Sequence, residues 1–197
     1  MAKRRRKRTV EFKPDPKAAT WAKTFHLTIQ QRLQLAKWAL YVLTIVLCLV
    51  VQDVIMSRVR LFGATTDLAV CAILLITVIE GTDTGSLFVL IASTLYYFSG
   101  SAPGAYVIAL LSFLGVAAVL LRQMYWHRSK GSIVLCTGIA LMLYEIGLFV
   151  VGIAIGLTLP SRLIYFILTG VYSCLALIPL YSIVYKIGLI GGNTWKE

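Results

Sequence analysis

Residues 64–115 carry three strongly apolar segments in close succession. Only the short polar connections EGTDTG at 80–85 and SGSAPG at 99–104 separate them. A water-soluble domain of this length cannot enclose three such segments in a row. A bilayer accepts them, because a helix pairs its own backbone groups and the connections reach the headgroup region. This stretch therefore predicts helical hairpins in a membrane.

The composition of the whole chain agrees with this prediction. Hydrophobic residues make up 59% of the 197 residues and charged residues only 14%. Soluble domains average roughly 45–50% apolar and about 25% charged residues. The sequence therefore predicts an all-α integral membrane protein in which lipid covers much of the apolar surface.

The apolar segments predict six transmembrane helices within a membrane domain at 36–190. A basic cytoplasmic tail with an amphipathic lead-in precedes it at 1–35, and a short cytoplasmic tail follows at 191–197. Within the lead-in, Trp21, Phe25, Ile29 and Leu33 recur every four residues, as on one face of a helix. This helix either lies on the membrane surface or continues into the first span. The predicted spans are 36–56, 64–79, 84–98, 104–124, 132–159 and 162–185.

The basic residues indicate the orientation of these spans. Eleven of the nineteen Lys and Arg residues precede Trp38. With both termini inside, sixteen fall on the cytoplasmic side, and only Arg58, Arg60 and Arg162 fall outside. The basic tail fits the rule that Lys and Arg residues are enriched on the cytoplasmic side of a membrane protein. It would also be attracted to anionic lipid headgroups. Nucleic-acid binding is disfavoured because no binding module accompanies the tail.

The sequence offers little to catalysis or to cofactor and metal binding. Cys48, Cys71, Cys136 and Cys174 lie in separate apolar segments without a CxxC pair and are interpreted as packing residues. The two histidines fall in different regions, and HExxH and GxSxG motifs are absent. We therefore expect no catalytic residues, no cofactor and no metal. An intramembrane enzyme is the least favoured reading.

Several polar residues within or beside the spans are candidate contacts to a partner. Glu145 lies near the middle of the fifth span, where an ionisable group costs several kcal/mol unless it is paired, hydrated or protonated. Interhelical bonding, a polar cavity and a partner's membrane helix are the alternatives for it. Asp67 begins a span, where a carboxylate interacts favourably with the positive end of the helix dipole and can cap the helix N-terminus. Gln52 and Asp53 close the first span and complete this set.

Glycines suggest two further structural roles. Gly152 and Gly156 form a GxxxG pattern in the fifth span, which predicts close helix packing, within the bundle rather than in a dimer. Gly81 and Gly85 in one connection, and Gly100 and Gly104 in the next, predict tight hairpin turns.

Short motifs in a fixed order carry a resemblance to a known family. They are Gln52, Thr66-Asp67-Leu68, Glu80-Gly81 with Gly85, Ser99-Gly100, Pro103-Gly104-Ala105 and Ile178-Pro179-Leu180-Tyr181. In this order the chain resembles the rod shape-determining protein MreD family, from about residue 40 to residue 186. It departs from the family's pattern at Tyr96, where an aspartate is common, and at Thr66, where a proline is usual.

The resemblance implies a fold, a role and a location. The fold is a six-helix bundle similar to the substrate-binding subunits of energy-coupling-factor transporters. The role is non-catalytic, in the bacterial cell-elongation complex of the plasma membrane, which supports peptidoglycan synthesis and cell shape. The implied partner is MreC, and MreB, RodA and a class B penicillin-binding protein belong to the same complex.

The same bundle suggests a second function, a vitamin-type substrate-binding subunit of such a transporter. That function needs a cavity with convergent polar groups, for which Asp53, Asp67 and Glu145 are the main candidates. The Ala-x-x-x-Ala pattern common in the first helix of those subunits does not occur in residues 36–56.

Overall fold

In the computed structural model of this protein, the described residues are 29–56, 58, 64–125 and 130–190. All regular elements in these ranges are helices. The bounds are α1 Ile29–Val51, a π-helical turn Gln52–Met56, α2 Leu68–Glu80, α3 Thr82–Phe98, α4 Tyr106–Tyr125, α5 Lys130–Ala154, a 3-10 turn Pro160–Arg162, and α6 Leu163–Gly188.

Helix α2 forms the centre of the bundle. It packs against each of the other five α-helices described, and every residue from Ala69 to Glu80 is buried. A helix that is apolar on all sides requires a surrounding that is apolar on all sides. Here the surrounding is protein, and at thirteen residues α2 is shorter than the roughly twenty that a lipid-facing span needs.

The outer helices present large apolar side chains outward. Leu87 on α3 is 67% exposed and Phe113 on α4 is 72% exposed. Soluble monomers rarely expose contiguous apolar patches of this kind. Among the described residues, four helical segments are long and apolar enough to cross a membrane: Ile29–Met56, Tyr106–Met124, Lys130–Ala154 and Pro160–Gly188. The prediction of an all-α membrane protein is confirmed at this level.

The connection between α2 and α3 is shorter than predicted. Gly81 alone separates the two helices, with a φ of 87° that favours glycine. Gly85, predicted as a turn residue, lies inside α3, where a Cβ atom would stand 2.5 Å from the Thr77 carbonyl oxygen. The prediction of a turn at Gly85 is therefore wrong, and its hydrogen side chain instead lets α2 and α3 approach closely.

The next hairpin agrees better with the sequence. Gly100 has a φ of 78° directly after α3, and Gly104 lies in the connection to α4. Both glycines are turn residues, as predicted.

The fifth predicted span ends earlier than expected. Helix α5 stops at Ala154, and Gly156 follows it with a φ of 78°. The Leu157 N–H donates to the Gly152 carbonyl and the Gly156 N–H to the Ile153 carbonyl, which is a Schellman C-cap. A Cβ on Gly152 would meet the Thr158 hydroxyl at 2.5 Å. The GxxxG pair thus ends and reverses the chain instead of packing two helices together, which corrects that prediction.

Some predictions fall on residues outside the described ranges. They are the tail at 1–28 with His26, the loop at 126–129 with His127, and the tail at 191–197. Within the described part, α1 is one continuous helix from Ile29 into the first span. Cys48, Cys71 and Cys136 are buried, Cys174 is half-buried, and all four are free thiols.

Candidate functional site

An open cavity of about 630 Å³ lies where α1 ends and α2 begins. It reaches into the bundle between α5 and α6, and the connection from α3 to α4 borders its mouth. We call this end of the bundle the cavity end. The lining residues are Gln52, Thr65, Thr66, Asp67, Tyr96, Ser101, Pro103, Glu145, Arg162, Tyr165, Phe166 and Thr169.

Asp67 is fixed at the cavity end as the N-cap of α2. One carboxylate oxygen accepts a long hydrogen bond from the Val70 N–H at 3.4 Å, and the Asp67 N–H donates to the Ser173 hydroxyl at 2.9 Å. The Gln52 side-chain oxygen accepts from the Ala69 N–H at 2.9 Å. Three chain segments thus satisfy the otherwise unpaired N–H groups at the start of α2. The predicted capping role of Asp67 is present.

Tyr96 brings α3 to the same site. Its hydroxyl donates to the Asp67 carboxylate, with oxygen distances of 3.3 and 3.4 Å. The ring is 2% exposed, so the hydroxyl is held among protein atoms. At the position where the resemblance expects an aspartate, this chain therefore places a hydrogen-bond donor to Asp67 rather than a second carboxylate.

Glu145 reaches the cavity from α5. The residue is only 3% exposed, and its carboxylate has no hydrogen bond or ion pair within the described part of the chain. The neighbouring Tyr144 hydroxyl is also buried without a hydrogen-bond partner there. Of the three alternatives that the sequence left open for Glu145, the structure displays the polar cavity.

Asp53 differs from the other candidates. It is exposed, and the Ser101 hydroxyl donates to its carboxylate at 3.2 Å. This contact joins the end of α1 to the connection between α3 and α4. Asp53 thus lies at the cavity end without lining the cavity.

A second polar site, at the opposite end of the bundle, was missed by the sequence analysis. Lys37 Nζ lies 2.7 Å from Glu80 Oε2, and the Tyr41 hydroxyl donates to Glu80 Oε1 at 2.6 Å. Nearby, the Arg122 guanidinium donates to the Val78 carbonyl. We call this end, which also carries Lys130 and Lys186, the basic end. Glu80 was read only as part of a turn motif, although an ionisable residue closing an apolar helix was a usable signal.

An apolar groove of about 630 Å³ runs along the outside between α1 and α3. The Trp38, Tyr41 and Phe88 rings contact one another in the part of the groove nearer the basic end. The residues that line it are Trp38, Val42, Ile45, Val46, Leu49, Thr84, Leu87, Phe88, Ile91, Ala92 and Leu95.

Metal binding has no support in the described residues. Within them, no three His, Cys, Asp or Glu side chains come together as a metal site would require. The described helices thus carry a polar cavity, a buried ion pair and two apolar grooves, the second of which, about 260 Å³ in volume, lies between α4 and α5. Comparisons with protein-family models, curated proteins and solved structures find no match to this chain.

Proposed function

We propose that this chain is a non-catalytic membrane component of the bacterial cell-elongation complex, similar in role to the MreD family. The observation that carries the proposal is the meeting of Gln52, Asp67 and Tyr96. Gln52 and Asp67 belong to the ordered motifs of the resemblance, Tyr96 stands where the resemblance expects an aspartate, and the three come from different parts of the chain. Their contact at one site is expected if the motifs reflect a common fold.

The distribution of charge supports six crossings of the plasma membrane. Lys37, Lys130 and Lys186 lie at the basic end, where we place the cytoplasm, and Arg162 lies at the cavity end. Helices α2 and α3 are shorter than the usual span. Because α2 is enclosed by protein, it needs no full lipid-facing length, and the bundle crosses the bilayer as a unit.

The groove between α1 and α3 is the surface that we propose for a partner's membrane helix, with MreC as that partner. Helices associate in lipid through close packing, which small residues at the contact permit. Ala92 and Thr84 are such residues, with apolar side chains around them. Lipid alone filling the groove is the competing outcome of any test.

Depletion of the protein in its native host tests the elongation role. We expect depleted cells to become spheres, and an affinity-tagged copy to co-purify MreC from detergent-solubilised membranes. A copy with the exposed change Asp83→Asn is the matched control and should restore rods. Depleted cells that keep their shape but require an added nutrient would overturn the proposal.

The cavity favours a second candidate function, a substrate-binding subunit of an energy-coupling-factor transporter. Ligand pockets typically have volumes of about 300–1,000 Å³ and a few convergent polar groups, and this cavity of about 630 Å³ has both properties. A stoichiometric small molecule that co-purifies with the chain, together with normal cell shape after depletion, would favour this candidate.

A further inference from the structure

We propose that the cavity binds a small organic cation, an amine with an apolar body, which enters from the extracytoplasmic side. The elongation role does not require such a site. If the chain is instead a transporter subunit, the inference names the class of its substrate.

The first step is the contrast between the carboxylates at the two ends of the bundle. Glu80 receives a cation from the fold itself, since Lys37 Nζ lies 2.7 Å away. Glu145 receives none in the described structure, although it is more deeply buried than Glu80. An enclosed carboxylate without a counter-charge is costly, and a bound cation relieves that cost. Glu145 is therefore an unused anionic group that borders an open space.

Asp67 adds a second carboxylate, which can accept further hydrogen bonds. Its hydrogen bonds from Val70 and Tyr96 measure 3.3–3.4 Å, longer than charge-assisted bonds usually are. Arg162 lines the same cavity, yet it forms no ion pair with Asp67 or Glu145 in the described structure. A cation bound in the cavity would supply the positive charge that the described part of the fold does not place beside these two carboxyl groups.

The residues that line the cavity favour an organic cation over a metal ion. In the described chain, no third acidic, histidine or cysteine side chain completes a metal site here. Three aromatic residues line the cavity instead: Tyr96, Tyr165 and Phe166. Aromatic faces attract ammonium groups and also cover apolar carbon. A protonated amine with an apolar or aromatic body matches both parts of this lining.

Calorimetric titration of the purified full-length chain in nanodiscs tests the inference. The probe is phenethylamine, and the neutral 3-phenylpropanol is the ligand control. We expect saturable binding of the amine, with clearly weaker binding of the alcohol. Glu145→Gln should weaken amine binding by about tenfold or more, since a charge-assisted contact is lost. Asp83→Asn, an exposed change at the basic end, should leave binding unchanged.

The inference is overturned if the amine fails to bind, if the alcohol binds equally well, or if folded Glu145→Gln binds like the wild type. If Glu145→Gln does not fold, Thr169→Leu replaces it, because it narrows the cavity and keeps both carboxylates. Unchanged amine binding in that variant also overturns the inference. Since the assay contains no partner protein, its failure leaves the cell-shape result unaffected.

Discussion

Lys37 Nζ and Glu80 Oε2 lie 2.7 Å apart, with side chains only 8% and 4% exposed. The pair joins α1 to the last residue of the central helix α2. The Tyr41 hydroxyl donates to the other carboxylate oxygen, so both oxygens of Glu80 have a partner. This ion pair fixes the basic end of the bundle, whereas Glu145 in the cavity has no cation beside it among the described residues.

Removing one member of this ion pair should lower the free energy of unfolding far more than replacing both members together. Lys37→Met alone leaves Glu80 buried without its cation, and we expect a loss of about 3–5 kcal/mol in the free energy of unfolding. The double variant Lys37→Met with Glu80→Gln should recover most of that loss. Denaturation in detergent micelles measures both, with the exposed Lys186→Met as control. If the double variant loses as much stability as Lys37→Met and Glu80→Gln do separately, added together, this interpretation is contradicted.

Gly85→Ala should destabilise the bundle, because the added methyl group would stand 2.5 Å from the Thr77 carbonyl oxygen. Overpacking of this kind typically costs about 1–3 kcal/mol. Gly138→Ala is the matched control in α5. Its nearest neighbour would be the Cys174 sulfur at 3.6 Å, an ordinary contact, so helix propensity should stabilise it by up to about 1 kcal/mol. Equal melting temperatures for the two variants would show that α2 and α3 are less closely packed at Gly85 than the structure indicates.

Glu145→Leu should leave the stability of the bundle unchanged or increase it. Interhelical bonding is one of the alternatives that the sequence leaves open for Glu145, and Glu145→Gln would preserve such a bond better than Glu145→Leu. The structure provides no such partner among the described residues, so we expect both variants to melt at or above the wild-type temperature. Glu80→Leu is the contrasting variant and should melt lower. A clear preference for Gln over Leu at position 145 would restore the hydrogen-bond interpretation.

Thr84→Phe should fill part of the groove and weaken association with MreC. Thr84 is exposed and lines the groove, so the added ring occupies the space that we propose for the partner's membrane helix. Ala109→Phe, which places a phenylalanine at an exposed position on α4, is the control and should bind normally. Co-purification from membranes that contain both proteins measures the effect, with the yield of the chain checked in parallel. Equal recovery of MreC with the two variants would exclude the groove as its binding surface.

The helices were largely predictable because each is a long apolar segment bounded by polar or glycine residues. The predicted third span at 84–98 lies within α3, for example, and the fourth at 104–124 nearly coincides with α4. The predictions were wrong where a glycine could serve either a turn or the close packing of two helices. In the sequence, Gly85 resembles a turn residue, and only the approach of Thr77 shows that it serves helix packing.

The candidate site was partly predictable. Gln52, Asp67 and Glu145 were selected as polar residues in an apolar context, and the structure places all three on one cavity. The roles of Arg162 and Tyr96 in that cavity, and the pairing of Lys37 with Glu80, were not foreseen. These contacts join residues far apart in the chain, so they depend on how the helices assemble, which periodicity does not report.

Single-cysteine labelling in intact cells tests six crossings most directly, after replacement of the four native cysteines by alanine. Thr65→Cys and Ala105→Cys flank the α2–α3 hairpin at the cavity end, and Asp83→Cys lies at its turn. A membrane-impermeant maleimide should label positions 65 and 105 in intact cells, and position 83 only after permeabilisation. Labelling of all three positions in intact cells would mean that α2 and α3 do not cross the membrane, which would contradict the account.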